Sequence, residues 1–484
     1  MARTGNRVKL TTELSDQMTC FIFALGMFLL LGMERPSINF GWFISLLSVS
    51  TGLYLWISAR LLAGKSAPIT LRNLFFIGLA LRLWAVFGVP DFSQDIYRYI
   101  YEGKVVWHMG LDFPFVVPPS EAQSHGIPAH LIDFTFSKIN HPSIPTVYPP
   151  AAQIVFIFSG GISEGLRTFG VLLGPRFDLL VLKSLLVMFE MATYLIIGFA
   201  IRSYNTRIEK PRRINEAWMA ILVACPLPII EIAREGHADS IAMFGLALGI
   251  AGFITQRFLL GHMGWVWAAL AKLNGLLGLV VGIRATRKRV LIALAVLVLA
   301  GLPYALLSAD SGRGLSEYAQ RWRAFDGVFS ILLYCAEVLI GGDYIQVLDH
   351  TITRHQAARV MCLGLFGLYV LIRLRSSIEP QDVPSVTGEL LLVLLLVSPT
   401  LHPWYTTWLL PFLPFALRAR SAILWLLCVT PLTHHATHLL ASEGQWDDPT
   451  WLRLFIHIPS WLFLMLGYRQ SRATQRHTSD RLQA

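Results

Sequence analysis

Apolar residues in this chain come in long blocks rather than in alternation or in narrow helical stripes. Stretches 18–33, 40–59, 177–201, 238–256, 289–307, 358–374 and 421–433 are nearly free of charge. A helix needs about 20 apolar residues to cross a bilayer, and only a helix can satisfy its own backbone there. The pattern predicts an all-α, polytopic transmembrane helix bundle of roughly 12 spans, with re-entrant or interfacial helices between them. Two blocks are irregular. Segment 262–283 is interrupted by Lys272, Asn274 and Gly275 and reads as a broken helix pair. Segment 148–165 is short, carries Gly160 and Gly161, and reads as entering from the outer face without a full crossing. The first apolar block follows a basic N-terminus without a small-residue cleavage site, so it is expected to stay as the first helix.

Composition agrees with the blocks. Of 484 residues, 54% are hydrophobic and only 14% charged, where a soluble chain carries about a quarter. The net charge of +10 does not imply nucleic acid, because the basic residues sit in short loops, as the positive-inside rule expects. Arg3, Arg7 and Lys9 precede the first helix. Later groups are Arg60, Lys65 and Arg72; Arg202, Arg207, Lys210, Arg212 and Arg213; Arg284, Arg287, Lys288 and Arg289; Arg373 and Arg375; Arg418 and Arg420; and the tail from Arg469 to Arg476. All are assigned to the cytoplasm, together with both termini, which makes this a multi-pass protein of the cytoplasmic (inner) membrane. The other polar segments, 91–147, 233–238, 309–327, 341–357, 398–404 and 434–450, then face outward. The longest, 91–147, follows the third helix. With no internal repeat and no low-complexity linker, residues 1–484 read as a single integral membrane domain. Cys20, Cys225, Cys335, Cys362 and Cys428 lie in apolar blocks without metal-type spacing and read as small buried hydrophobes.

Four segments carry chemistry. In the first, Asp91 to Lys104, residues Asp95, Arg98, Tyr99 and Glu102 stand at helical spacing and share a face. An acid beside Arg and Tyr at a membrane surface can act as a general base, although an interfacial amphipathic helix has the same pattern. In the second, Asn140-His141-Pro142 leads to Thr146, Tyr148, Pro149 and Pro150, a helix start at the interface with Asn, His and Tyr beside it. The third holds Glu231, Arg234, Glu235, His237 and Asp239 between two apolar blocks. Ionisable groups are costly there and are paired or functional. The fourth, Ser398 to Trp408, contains Pro399 and Pro403, which break a helix and project His402 and Tyr405 near the outer surface. Lys272 is a lone cation in an apolar stretch, able to snorkel or to meet a lipid phosphate. His434, His435 and His438 have no acidic or cysteine companion at metal spacing. There is no nucleotide-binding glycine loop and no Ser-His-Asp signature.

In order, these segments resemble the multispanning glycosyltransferases of the GT-C class, in particular the bacterial mannosyltransferase-like branch that uses polyprenyl-phosphate-linked sugars. The resemblance covers most of residues 85–415. It rests on Asp95-Ile-Tyr97-Arg98-Tyr99 with Tyr101-Glu102-Gly103, on Gly110 to Phe115, on 140–150, on Pro226 to Asp239, on Lys272, and on Ser398 to Tyr405. It departs at Gln94, Asp112, Ala238 and the Lys272-Leu-Asn-Gly step. Gln94 stands where the family has the first of two acids, which leaves Asp95 as the candidate base. The resemblance implies inverting transfer of a single sugar, mannose by the likeness, from a polyprenyl-phosphate donor to a glycolipid or glycan acceptor, with membrane lipids as surroundings. Asp95 is then catalytic. Asp91, Arg98, Tyr99, Glu102, His141, Tyr148, Arg234, His237, Asp239, Lys272, His402 and Tyr405 bind substrate or phosphate, with Arg98, Arg234 and Lys272 on the phosphate. No cofactor or metal is expected, though Asp91 with Asp95 could hold an ion. A lipid or solute transporter or flippase, or a ligase moving a whole lipid-linked oligosaccharide, are the alternatives.

Overall fold

The computed structural model describes residues 2–171, 174–209, 213–311, 322–347 and 350–483. Lys210 and Arg212 of the basic loop, and residues 312–321 and 348–349 of two segments expected to face outward, lie outside them. The described chain is helical throughout, apart from one antiparallel hairpin of β1 (Tyr344–Val347) and β2 (His350–Thr353). The all-α expectation holds with that exception, which falls inside segment 341–357.

Among the described residues, seven helices are long and apolar enough to cross a membrane: Glu13–Leu31, Phe40–Leu62, Pro175–Asn205, Arg354–Leu374, Pro380–Val397, Arg420–Glu443 and Thr450–Ser471. Four shorter apolar helices accompany them: Asp239–Ile254, Gly275–Ala285, Leu291–Leu307 and Val328–Ile340. Several present apolar faces outward. Along Arg354–Leu374, Val360, Leu363 and Leu371 are each about two-thirds exposed (67%, 68% and 65%). A continuous face of that kind is unfavourable in water and suits a lipid surround.

The helices that position the polar groups are α1 (Pro68–Ala85), α2 (Asp95–Met109), α3 (Pro150–Thr168), α4 (Pro175–Asn205), α5 (Asp239–Ile254), α6 (Phe258–Lys272) and α7 (Gly275–Ala285). Segment 262–283 is indeed broken. Leu273 takes a left-handed backbone (φ 59°), and the chain reverses so that Gly278 packs on Trp265 and Gly282 on His262. Segment 148–165, read as entering without a full crossing, forms α3, one continuous helix of 19 residues that is not among the helices long and apolar enough to cross a membrane. Its glycines serve packing. A Cβ at Gly160 would lie 2.3 Å from the Gly103 carbonyl oxygen, so α2 and α3 run side by side with backbones in contact. The same device joins α5 to α6, where Gly245 and Gly249 face Gly264, the small-residue spacing that lets helices approach without a hydrophobic driving force.

One ion pair lies deep between helices. Arg82 Nε of α1 donates to Glu190 of α4 at 2.9 Å, and Tyr194 Oη donates to the same carboxylate at 2.7 Å. All three side chains are buried.

Candidate functional site

The site is built outward from the start of α2. Asp95 opens that helix, and its Oδ1 accepts a hydrogen bond from Asn140 Nδ2 at 2.8 Å. Asp95 is half-buried. Among the described residues it has no ion-pair partner within 4.0 Å. Its charge nevertheless acts on Tyr148, His237, Asp239 and His402, which draws three other segments around one carboxylate.

Beneath Asp95 lies a polar floor. Pro226 and Pro228 interrupt the preceding helix, and Ile229–Arg234 closes as a π-helical turn, a local widening common at functional sites. The turn places Glu231 under His237. His237 Nδ1 bonds the Glu231 carbonyl oxygen at 3.0 Å and stands 3.2 Å from its Oε2. His434 Nε2 reaches Glu231 Oε1 at 2.8 Å. Asp239, at the first turn of α5, accepts from Trp408 Nε1 at 2.7 Å and faces Lys272 Nζ at 3.7 Å. Glu231, His237, Asp239 and His434 are all buried. The turn 233–238, expected as an outward loop, is therefore enclosed, because its charges find partners on three other segments.

Above the floor the wall is aromatic. His237 stacks on Trp404 with ring centres 3.9 Å apart, and Trp404 stacks on His402 at 4.3 Å. Lys272 lies over the rings of Tyr148 (5.5 Å) and Tyr405 (5.7 Å). Tyr99 packs between Tyr148 and Phe156. The loop carrying His402 is pinned where Leu401 N donates to the Ala324 carbonyl oxygen at 2.9 Å. Two residues before Ala324, Trp322 covers His141 at 4.7 Å between ring centres.

Four buried atoms of these residues have no hydrogen-bond partner, Tyr99 Oη, Glu231 Oε2, His237 Nε2 and Asp239 Oδ2, although Glu231 Oε2 stands 3.2 Å from His237 Nδ1 and Asp239 Oδ2 3.7 Å from Lys272 Nζ. An orphaned buried polar atom costs about 1–3 kcal/mol, so a cluster of them calls for an explanation such as a bound ligand. Both histidines in the loops have shifted pKa values. Burial pushes the His402 imidazole down to about 3, against the pull of Asp95. Burial opposes protonation of His237 as well, but the hydrogen bond and charge of Glu231 win and raise it. The cleft thus pairs a neutral imidazole with one that favours its cation.

The structure brings Asp95, Tyr99, Tyr148, His237, Asp239, Lys272, His402 and Tyr405 together. The remaining candidates have other work. Arg98 donates to the carbonyl oxygens of Ile144 (3.0 Å), Asn140 (3.0 Å) and His141 (2.7 Å), and stands 3.5 Å from Glu102. It fixes the loop that holds Asn140 beside Asp95. His141 itself takes a left-handed backbone (φ 46°), which turns its carbonyl toward Arg98. Glu102 accepts from Thr146 (2.8 Å) and Gln153 (2.7 Å). Arg234 pairs with Glu235 and donates to the Met33 carbonyl oxygen. Glu235 accepts the backbone N–H groups of Asp91 and Phe92, both at 2.8 Å, and Asp91 accepts that of Ser37 at 2.7 Å. These pairs frame the start of α2.

Glu231, His434, Asn140, Trp404 and Trp408 join the site although they were not picked as site residues. Asn140 and Trp404 lie within the quoted motifs and were readable there. Glu231 stood out in the third segment as well; its contact with His237, six residues on, did not. His434 is 203 residues from its partner, and no local pattern announces it. Compared with family models, curated proteins and solved structures, the chain matches none.

Proposed function

We propose that the chain is a membrane-embedded glycosyltransferase that moves a single sugar, mannose by the sequence resemblance, from a polyprenyl-phosphate donor to a lipid-linked or glycan acceptor, with inversion. The carrying observation is Asp95: a half-buried carboxylate held by one neutral amide, without an ion pair among the described residues, whose charge acts on two histidines and a tyrosine from distant segments. A general base must be unpaired enough to take a proton and within reach of the attacking oxygen. Asp95 meets the first condition better than Glu231 or Asp239, each of which already has a cationic or histidine partner.

In this reading the acceptor hydroxyl gives its proton to Asp95 as its oxygen bonds the anomeric carbon. The bond from that carbon to the phosphate oxygen breaks, and the lipid phosphate leaves with the electron pair. A cation and hydrogen-bond donors fixed in advance stabilise the departing charge. Lys272, 15% exposed and flanked by Tyr148 and Tyr405, is the phosphate cation of this scheme. Arg98 and Arg234, whose donors go to the backbone and to Glu235, become positioning residues. His237 Nε2, which has no hydrogen-bond partner, is the partner for a sugar hydroxyl, and the Trp404 ring gives the sugar an apolar face. The outward orientation of the cleft and the cytoplasmic termini belong to the same proposal.

The test uses membranes containing the chain and labelled polyprenyl-phosphate mannose, scored for a new glycolipid or glycan. Asp95→Asn is isosteric and keeps the Asn140 contact. It is expected to fold and to lose roughly 10²–10⁴-fold in rate, the usual share of a general base. Full activity in Asp95→Asn would move the base to Asp91; no product with the parent chain would favour a carrier without covalent chemistry.

A further inference from the structure

At the opposite end of α2 from Asp95, His108, His130 and Glu164 converge. The two histidines each place Nε2 2.9 Å from the same oxygen, Glu164 Oε2. All three offered ligand atoms lie within 4.8 Å of one another. Thirteen residues separate His108 from Asp95, about 20 Å along a helix at 1.5 Å per residue. The cluster is therefore distinct from the cleft.

We infer that this cluster is a binding site for a divalent transition metal ion, zinc by the chemistry of its ligands. Two imidazoles and one carboxylate are a set that zinc takes, with bonds of about 2.0–2.2 Å and a fourth position left to solvent. Tetrahedral ligands at such bond lengths stand about 3.3 Å apart, so the 2.9 Å contacts open by a few tenths of an ångström to admit the ion. Each imidazole ligates through Nε2 with its remaining proton on Nδ1, so a proton on Nε2 has to leave that nitrogen as the ion binds. Glu164 is 92% buried by residue area (8% exposed), and its second oxygen, Oε1, has no hydrogen-bond partner. Both histidine side chains are 30% exposed, which gives the ion a route from solvent.

The surrounding charge permits a cation. Lys104 Nζ and Arg167 Nε stand 3.9 Å and 3.8 Å from Glu164 Oε1. Lys104 is already neutralised by Asp178 at 3.0 Å and Asp133 at 3.5 Å. Three carboxylates thus face two fixed cations. The ligands come from three elements: α2, the 3-10 turn Ala129–Leu131 in the long loop, and α3. The ion staples that loop to the helix pair, and the same loop carries Asn140 to Asp95.

The test uses the full chain purified in detergent, stripped with chelator, dialysed against zinc and assayed for bound metal. Cobalt substitution then reports the ligand geometry. The parent chain is expected to retain roughly one zinc per chain and to melt at higher temperature with it. The double variant His108→Gln/His130→Gln keeps amide donors to Glu164 and is expected to retain no zinc. His130→Gln alone, in the loop, serves where the double variant fails to fold. A parent chain that takes up no zinc, or variants that bind as much as the parent, would overturn the proposal. Neither readout involves sugar transfer, so the result stands apart from the fate of the glycosyltransferase reading.

Discussion

Asp95 differs from the other acids of the cleft in what holds it. Glu231 sits between two imidazoles and Asp239 between an indole and an ammonium, whereas Asp95 has one amide. Its identity as an acid beside Tyr-Arg-Tyr was legible in the chain, but its freedom from ion pairing was not. Arg98, three residues on and sharing its helical face, is assigned to the substrate phosphate by the sequence resemblance, and it turns instead to three backbone carbonyls. His402 gives a prediction at the same scale. Its imidazole is held down to about 3 against an ordinary value of 6.5. The unfolded chain therefore binds a proton there that the folded chain refuses, and stability falls as pH drops through 6.5 toward 3. His237, raised by Glu231, works the other way: it contributes stability in acid that is lost as pH rises. Melting temperatures between pH 7 and 4.5 should drop less steeply in His402→Gln than in the parent. Parallel slopes would mean that His402 protonates without cost in the fold.

Among the elements, α1 and α4 are joined by the Arg82–Glu190 pair, with both side chains out of solvent. Removing one partner of a buried pair leaves an unpaired charge and typically costs about 3–5 kcal/mol, while replacing both with apolar residues is often near neutral. Arg82→Leu should therefore lower the melting temperature sharply, and Arg82→Leu with Glu190→Leu should recover much of the loss. Equal losses in both would show that the pair holds helices through its shape rather than its charge. The break at Lys272 to Gly275 was readable because Asn and Gly interrupt an apolar run. The role of the two glycines in α3 was not. Gly160 and Gly161 look like breakers in one dimension, and only the close approach of α2, with Trp107 against Gly161, explains why glycine is needed there.

For the whole molecule, the decisive question is which polar ends face out. The charge pattern assigns 91–147 outward and the Arg373–Arg375 loop inward. Ser124 lies in the first segment and Ser376 in the second, both exposed. In intact cells, a membrane-impermeant maleimide should label Ser124→Cys and leave Ser376→Cys unlabelled, relative to the parent chain. The reverse pattern would invert the topology and put the cleft in the cytoplasm.

The membrane character and the helical class were determined by the sequence alone. Both follow from the length and charge-poverty of apolar blocks, a local property that survives without knowing what packs on what. The motif residues Asp95, Tyr148, His237, Asp239, Lys272 and His402 were legible for the same reason: polar groups stand out in apolar surroundings. Tertiary structure decided their division of labour. Whether a charge is free or spent depends on partners far away in the chain, such as Met33 for Arg234 and His434 for Glu231. It also depends on backbone carbonyls, which no side-chain pattern reveals. The His108, His130 and Glu164 cluster was invisible for that reason too, because its three ligands meet only once α2, the long loop and α3 have packed.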